Sequence, residues 1–287
     1  MYLLLSILCS TVIFIIFKCF EKYNVNTLQA IVINYFIAAT FGFLDYNAKL
    51  SVLEITDSKW FIGALCLGAL FITIFNVMAL TAQKNGLSVT SVASKMSVVI
   101  PIIFGVYAYN ESVNLQKLIG ILLALAAVYL TSVKAKSLKT FQLKNLSLPI
   151  ILFLGSGTID TSIKYLETKY LADNEIPVFS ATIFLCSGLI GVILLTIKSL
   201  KTPLKLSYKP LIGGAILGVV NYYAILTLLK ALQINGFESS TLFTLNNVGI
   251  VMLSTLIGLL FFKEKLIRKN WIGIALAIIS IGLVTFA

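Results

Sequence analysis

The sequence predicts an all-α integral membrane protein with ten transmembrane helices, arranged as two inverted five-helix repeats. Three observations lead there. Mean hydropathy is +1.00, with 59% hydrophobic and 11% charged residues, beyond what a soluble domain of 287 residues carries. The apolar runs are roughly 18–25 residues long and do not alternate with polar positions, which means helices rather than a barrel. The third is that the chain contains one of its own stretches twice.

Shifted by 153, residues 98–130 lie over 251–283. The matches include Val98/Val251, Gly105/Gly258, Glu111/Glu264, Gly120/Gly273, Ala124/Ala277 and Leu130/Leu283. Each copy is an apolar run, a short polar turn carrying a Glu, then a second apolar run with an early Gly, which is a helical hairpin. Upstream the register is 150, where Lys59, Gly63, Leu67, Gly68, Gln83, Asn85 and Gly86 meet Lys209, Gly213, Leu217, Gly218, Gln233, Asn235 and Gly236. The register changes between residues 90 and 98, so the copies differ most around Lys95.

Taken in order, the expected spans are 2–20, 27–45, 60–81, 87–109, 115–133, 148–168, 177–197, 210–232, 239–262 and 270–286. The first is short before Lys18, and the sixth is interrupted by polar residues. Pro149, Pro177 and Pro210 fall at or just inside helix starts, where a missing N–H costs little. Trp60 and Trp271 open spans at the expected headgroup level. This divides the chain into a first repeat (1–133), a basic loop (134–147) and a second repeat (148–287), with no room for a soluble domain. Five spans per repeat is odd, so the second repeat enters the membrane with opposite orientation. Such inverted repeats are a transporter signature, because two halves of opposite sense can exchange outward-open and inward-open shapes around one site.

The net charge of +11 would suggest nucleic acid in a soluble protein. Here the lysines flank membrane spans, where they set topology instead. Loops after the odd-numbered spans hold most of them, among them Lys18, Lys22, Lys84, Lys134, Lys144, Lys198, Lys209, Lys263, Arg268 and Lys269. That bias predicts a cytoplasmic location for those loops and external termini. Met1 runs directly into an apolar segment without a basic region or cleavage site, so the first span reads as retained. Cys9, Cys19, Cys66 and Cys186 lie in or at the ends of apolar runs and read as small core residues. With no His the commonest metal ligand and acid–base catalyst is missing, and no metal site, catalytic residue or cofactor is expected. There is also no phosphate-binding Gly loop and no nucleophile–base pair, which argues against an ATP-driven pump and most membrane enzymes.

Ten spans as five plus five, with an E-x(8)-G hairpin closing each half (Glu111 to Gly120, Glu264 to Gly273), resemble the drug/metabolite transporter superfamily. The similar branch is the EamA-type family of small-metabolite exporters, and the resemblance covers essentially the whole chain. There are departures. Asn110 and Lys263 stand where family members commonly have Gly before the Glu. Of the Pro pair common to the fourth and ninth spans only Pro101 is present, with Ser254 at the other place. The resemblance also implies cytoplasmic termini, opposite to the lysine bias.

Lys95 is the most informative residue. It lies about eight residues into a span, where a charge costs at least ~2.5–3.5 kcal/mol, and the second repeat offers Leu245 or Val248 in its place. Functionally it would hold a substrate carboxylate or phosphate; structurally it would be half of a fixed ion pair. Pro101, six residues on, is compatible with a local bend that frees carbonyls. Asp160 lies ~16 Å along its helix from Pro149, near the midplane, and Lys164 follows at i+4 on the same face. Either the two neutralise each other or Asp160 and Lys164 serve proton coupling. Asn34, Tyr35, Asn76, Asn221, Tyr222, Asn246 and Asn247 are uncharged polar residues at depth, available to a substrate or to interhelical hydrogen bonds. Ser94 shares a face with Ser91 and Ser97 that is equally a packing seam. Glu111 and Glu264 read as structural carboxylates that serve the start of the following helix.

The expectation is therefore a secondary transporter of a small polar metabolite, an amino acid or similar, with its site at the centre of the bundle. It would work by alternating access, in the export direction. The expected partners are the substrate and the lipid bilayer of the cell membrane, with protons as a candidate coupling ion and no nucleic acid. The expected state is a monomer or weak homodimer. Within transport the rival is a sugar or nucleotide-sugar exchanger, which would need more than one deep base. From another class it is a membrane enzyme acting on lipid-linked substrates.

Overall fold

The computed structural model describes residues 1–45, 52–109, 115–132, 143–171, 175–201, 207–232 and 239–286. These residues are all-helical, with no strand among them. The helices are α1 (Tyr2–Lys22), α2 (Thr27–Asp45), α3 (Val52–Asp57), α4 (Phe61–Lys84), α5 (Leu87–Met96) and α6 (Val99–Tyr109). They continue with α7 (Leu115–Ser132), α8 (Leu143–Tyr170), α9 (Ile176–Lys201), α10 (Tyr208–Leu232), α11 (Ser239–Leu260) and α12 (Arg268–Thr285). By length and composition seven stretches can cross a membrane: Tyr2–Lys22, Thr27–Asp45, Phe61–Lys84, Leu87–Phe104, Leu146–Leu166, Ile176–Leu200 and Tyr208–Leu228. The remaining three expected spans fall on α7, α11 and α12, and the apolar stretches of the first two are shorter, Leu118–Thr131 and Leu245–Leu260.

Four sequence expectations are corrected. The fourth span is not one helix, because it tightens at Ser97–Val98 between α5 and α6. Pro101 explains the place: it has no N–H for the carbonyl four residues back, Ser97 O, which instead accepts the N–H of Ile100 at 2.9 Å. Ser97 keeps helical angles (φ −57, ψ −19), so this is a turn of 3₁₀ character rather than an unwinding. The sixth span starts earlier than expected, since α8 runs from Leu143 as one continuous helix through its polar residues and carries Pro149 inside it rather than at its start. Trp60 stands just before α4 but is packed inside the protein rather than on its surface. It is 1% exposed, with its ring edge-on to Phe179 at 5.5 Å, whereas Trp271 is half exposed. Of the four cysteines only Cys186 is buried, and Cys66 is exposed.

The described residues form two compact units. The first comprises 1–19, 77–158 and 223–287; the second comprises 20–76 and 159–222. Each draws on both predicted repeats.

In the second unit α2 packs along α9. Gly42 faces Ala181, Gly188 faces the ring of Phe36, and Gly191 faces Val32. Low residue numbers of one helix meet high numbers of the other, so the pair is antiparallel. By the same reasoning α10 runs parallel to α2, with Gly214 against Ala30 and Ile33, and Gly218 against Asn34 and Ile37. Likewise α4 runs parallel to α9, with Gly68 against Cys186 and Ser187, and Ile72 against Gly191. Lipid tails are as apolar as leucine, so no hydrophobic drive brings helices together in a bilayer; close backbone approach and dispersion must. The glycines supply that approach. A Cβ on Gly68 would lie 2.8 Å from the Cβ of Cys186, and one on Gly218 would lie 2.7 Å from the Cβ of Ile37. Gly63 and Gly213 complete the pattern: the first receives Leu166 at the end of α8, the second Phe20 at the end of α1.

The first unit is built on α7 and α12, its most extensive helix pairing, which is also antiparallel. The Nε2 of Gln116 donates to Leu283 O at 3.2 Å, and the hydroxyl of Ser280 donates to Gly120 O at 2.7 Å. At the other end the Nδ2 of Asn270 donates to Leu130 O and Thr131 O at 3.0 and 2.9 Å. Gly120 seats Val284, and Gly273 seats Thr131 and Ala127. Val92, Met96, Val99, Ala124, Ala127, Phe153, Val251, Ile274 and Ala277 close the apolar core beside this pair.

Gly68→Val and Gly218→Val should each destabilise the protein by about 1–3 kcal/mol, the cost of overpacking a tight contact. Gly282, with nothing within 4 Å of its would-be Cβ, serves as the control: Gly282→Ala should be neutral or stabilising by up to about 1 kcal/mol through helix propensity. Thermal melts of purified protein in one detergent check all three.

Candidate substrate site

The polar residues singled out in the sequence fall into two groups, one in each unit. The second unit holds Asn34, Tyr35, Asn76, Asp160, Lys164, Asn221 and Tyr222. The first holds Ser94, Lys95, Asn246 and Asn247.

In the second unit, α2 and α10 approach closely enough at Gly218 for two buried amides to meet, and the Nδ2 of Asn221 donates to the Oδ1 of Asn34 at 3.3 Å. Tyr35 is fully buried beside them on α2. Its hydroxyl donates to Phe71 O at 2.8 Å, and its ring lies between Phe75 and Phe184 at 5.6 and 6.0 Å. Tyr222 is half-buried and stacks on Phe41 at 5.4 Å. The half-buried Asn76 turns its Nδ2 back to Ile72 O of its own helix at 2.7 Å. These are the bonds of a packed polar seam, which satisfy groups that hydrocarbon would leave unpaired.

Asp160 and Lys164 stand one turn apart on α8, and both are exposed. α8 turns this face away from its packed side, which carries Leu152, Ile159 and Leu166. At its far end the ammonium of Lys169 donates to the Tyr165 hydroxyl at 2.9 Å and lies over the rings of Tyr165 and Tyr170 at 5.2 and 5.4 Å. That hydrogen bond, with the charge interaction behind it, holds the Lys169 pKa above its ordinary value.

In the first unit α5 packs against α11. Lys95 lies in the last turn of α5, just before the tightened turn, where the negative end of the helix dipole favours a cation. Lys95 and Ser94 are half-buried, while Ser91 and Ser97 are buried and donate to Ser88 O and Ser94 O of their own helix. On α11 Asn247 is half-buried, and Asn246 is 2% exposed with no hydrogen-bond partner at its Oδ1 among the described residues. An orphaned acceptor is expensive inside a membrane protein and usually has a functional explanation or a hidden solvent partner.

Glu264 is structural, as expected, but serves a different helix. Its Oε1 accepts the N–H of Leu87 at 2.5 Å, and its Oε2 accepts the Ser88 hydroxyl at 3.0 Å and the Ser88 N–H at 3.4 Å. It therefore caps α5, not α12. The start of α12 belongs to Asn270, which sequence reasoning missed: its Oδ1 accepts the N–H of Ile267 at 2.9 Å while its amide nitrogen caps α7. The recurrence of Gln-x-Asn-Gly at 83–86 and 233–236 was the available signal for the first joint. Asn110, Glu111 and residues 134–142 lie outside the described residues.

The two asparagines on α10 and α11 should respond to substitution with opposite signs. Asn221→Leu leaves the buried Asn34 amide without its partner and should cost about 1–3 kcal/mol. Asn246→Leu removes an acceptor that is already unsatisfied and should leave stability unchanged or raise it. Paired thermal melts decide this, and equal destabilisation by both would mean that Asn246 makes a bond of the same kind.

Comparison with known proteins agrees with this architecture. Residues 1–133 match the model of the EamA-like transporter family. An uncharacterized protein of Haemophilus influenzae is 28% identical over 284 residues, covering 97% of this chain and 95% of its own length. A crystal structure of a protein 13% identical superposes with a TM-score of 0.57, covering 98% of this chain and 97% of that one, which is a likeness of fold. With seven stretches long and apolar enough to cross a membrane, the chain is a multi-pass integral membrane protein, and its residues 1–133 are similar to the EamA-like transporter family.

Proposed function

We propose that the protein is a secondary transporter that moves a small polar metabolite, an amino acid or similar, out of the cell by alternating access. The family suggests a membrane transporter of small molecules. The finer reading rests on one observation above others: helices that correspond under the sequence repeat pair antiparallel, α2 with α9 in the second unit and α7 with α12 in the first. Antiparallel pairing of equivalent helices is what two halves of opposite membrane orientation would produce. Inverted halves are the usual construction of a protein that opens alternately to either side. Ten crossings follow if α5 and α6 are counted as one span, and every pair direction deduced above agrees with that alternation.

The residues we assign to substrate are Lys95, Ser94, Asn246 and Asn247 in the first unit; in the second, Asn76, Asn221, Tyr222, Asn34 and Tyr35 form the polar seam described above. Lys95 supplies the cation for a carboxylate, and the orphaned Oδ1 of Asn246 supplies an acceptor. A 3₁₀ turn within a span, as at Ser97–Val98, is a recurrent mark of a hinge. Asp160 and Lys164 remain our candidates for proton coupling. Mid-span charges on an exposed face are too costly to hold against lipid tails, so this face is read as lining a wet path.

Two substitutions test the reading in proteoliposomes loaded with a mixture of amino acids, by counterflow of labelled counterparts. Lys95→Met should remain folded and lose exchange at least tenfold, about 1.4 kcal/mol of lost interaction. Exchange at the wild-type rate would exclude Lys95 from the site. Asp160→Asn should retain exchange but lose its dependence on pH, because no proton is exchanged at that position. A mutant profile that follows the wild type removes Asp160 from coupling.

A further inference from the structure

We propose that Glu264 is a positioning residue of the Lys95 site: its carboxylate pins the start of α5 to the turn between α11 and α12, and so sets where Ser94 and Lys95 stand. The proposal rests on the site reading above and extends it to a residue that touches no substrate.

The need for such a residue follows from the helix itself. α5 has ten residues, a length at which a helix is marginal without tertiary support. One of its ends is the tightened turn at Ser97–Val98, so the other end must carry the anchor. The residue before α5 is Gly86, which has no side chain with which to cap it. The N–H groups of Leu87 and Ser88 are among the four that any helix start leaves unpaired. Glu264 satisfies both from outside the helix, adds the Ser88 hydroxyl, and places a negative charge at the positive end of the dipole.

The surroundings are shaped for this carboxylate. Gly86 has φ +101, which side chains rarely tolerate, and a Cβ on it would lie 2.6 Å from the Oε1 of Glu264. A Cβ on Gly258 would lie 2.6 Å from the Oε2. The two glycines form a slot, and any side chain on either would displace the carboxylate. Lys263, immediately before, has a left-handed φ of +52, uncommon for a lysine and a cost held in place by the surrounding bonds. The backbone N–H of Glu264 then reaches Gly258 O of α11 at 3.0 Å. One residue is thus bonded through its main chain to the helix of Asn246 and through its side chain to the helix of Lys95.

A readout that does not need transport tests this. In a background lacking the four native cysteines, Ser94→Cys is purified in detergent and its rate of modification by a charged methanethiosulfonate reagent is measured. Adding Glu264→Gln should change that rate by about fivefold or more, and Ser88→Ala, which removes one donor, by about twofold in the same direction, as expected when local opening becomes easier. Asn270→Ala is the control, because it loosens the same turn from α7 without touching α5; it should lower the melting temperature and leave the rate unchanged. An unchanged rate in folded Glu264→Gln would overturn the proposal, as would an equal change in Asn270→Ala, which would mean general loosening. If Glu264→Gln does not fold, Ser88→Ala decides alone, and an unchanged rate there also overturns it. Full exchange by Lys95→Met would sink the site reading yet leave this labelling result standing, so the two failures are distinguishable.

Discussion

Close backbone approach at duplicated glycines is the constraint on which the rest of the structure depends. In a bilayer, helices gain nothing by hiding leucine from leucine-like lipid, so what holds them is contact close enough for dispersion and for hydrogen bonds between main chain and small polar groups. Gly63 and Gly213 each receive the end of a distant helix, α8 and α1 respectively, Gly68 and Gly218 each seat a neighbouring helix, and Gly120 and Gly273 each seat the other's helix. The same residue type recurs at the same repeat position and makes the same kind of contact. Two consequences follow nearby. The contact at Gly218 lets Asn221 reach Asn34, and the contact at Gly120 exposes its carbonyl to the hydroxyl of Ser280.

Against that regular frame the stretch from Gly86 to Pro101 is where the chain departs from its own repeat. A proline removes one helical hydrogen bond, the helix tightens four residues earlier, and a lysine is left at the end of a short helix. The negative helix end eases the burden of that charge but does not abolish it. A carboxylate from the second repeat holds the other end. Local irregularity paired with a deep charge and an orphaned acceptor on the adjoining helix is the pattern expected where structure yields to function.

Much of this was legible in the sequence, for a physical reason. Hydropathy alone located the helices, because hydrocarbon permits little besides an internally bonded helix. The glycine matches at 63/213, 68/218 and 120/273 were visible because close packing tolerates no substitute. The tertiary destination of polar groups was not visible. Nothing in the sequence around Glu264 says that its partners lie 177 and 176 residues away at Leu87 and Ser88, rather than at the helix that follows. Asn270 stood unremarked as the first residue of the last expected span, although it caps two helices. Asp160 and Lys164 were correctly placed on one helix face by their spacing, but which face of α8 packs is decided by partners that periodicity does not name. Trp60 likewise looked like an interfacial anchor until Phe179 covered it.

The central claim is that the two halves of the chain are equivalent and lie in opposite orientations across the membrane. Lys22 at the end of α1 and Lys169 at the end of α8 hold corresponding places in the two halves, and both are exposed. Single cysteines introduced at these positions, in a background without native cysteines, can be labelled from outside intact cells by a membrane-impermeant maleimide, and again after permeabilisation. The account predicts that one of the two is labelled in intact cells and the other only after permeabilisation, whichever way the whole protein faces. Labelling of both, or of neither, from outside would place equivalent helix ends on the same side and contradict it.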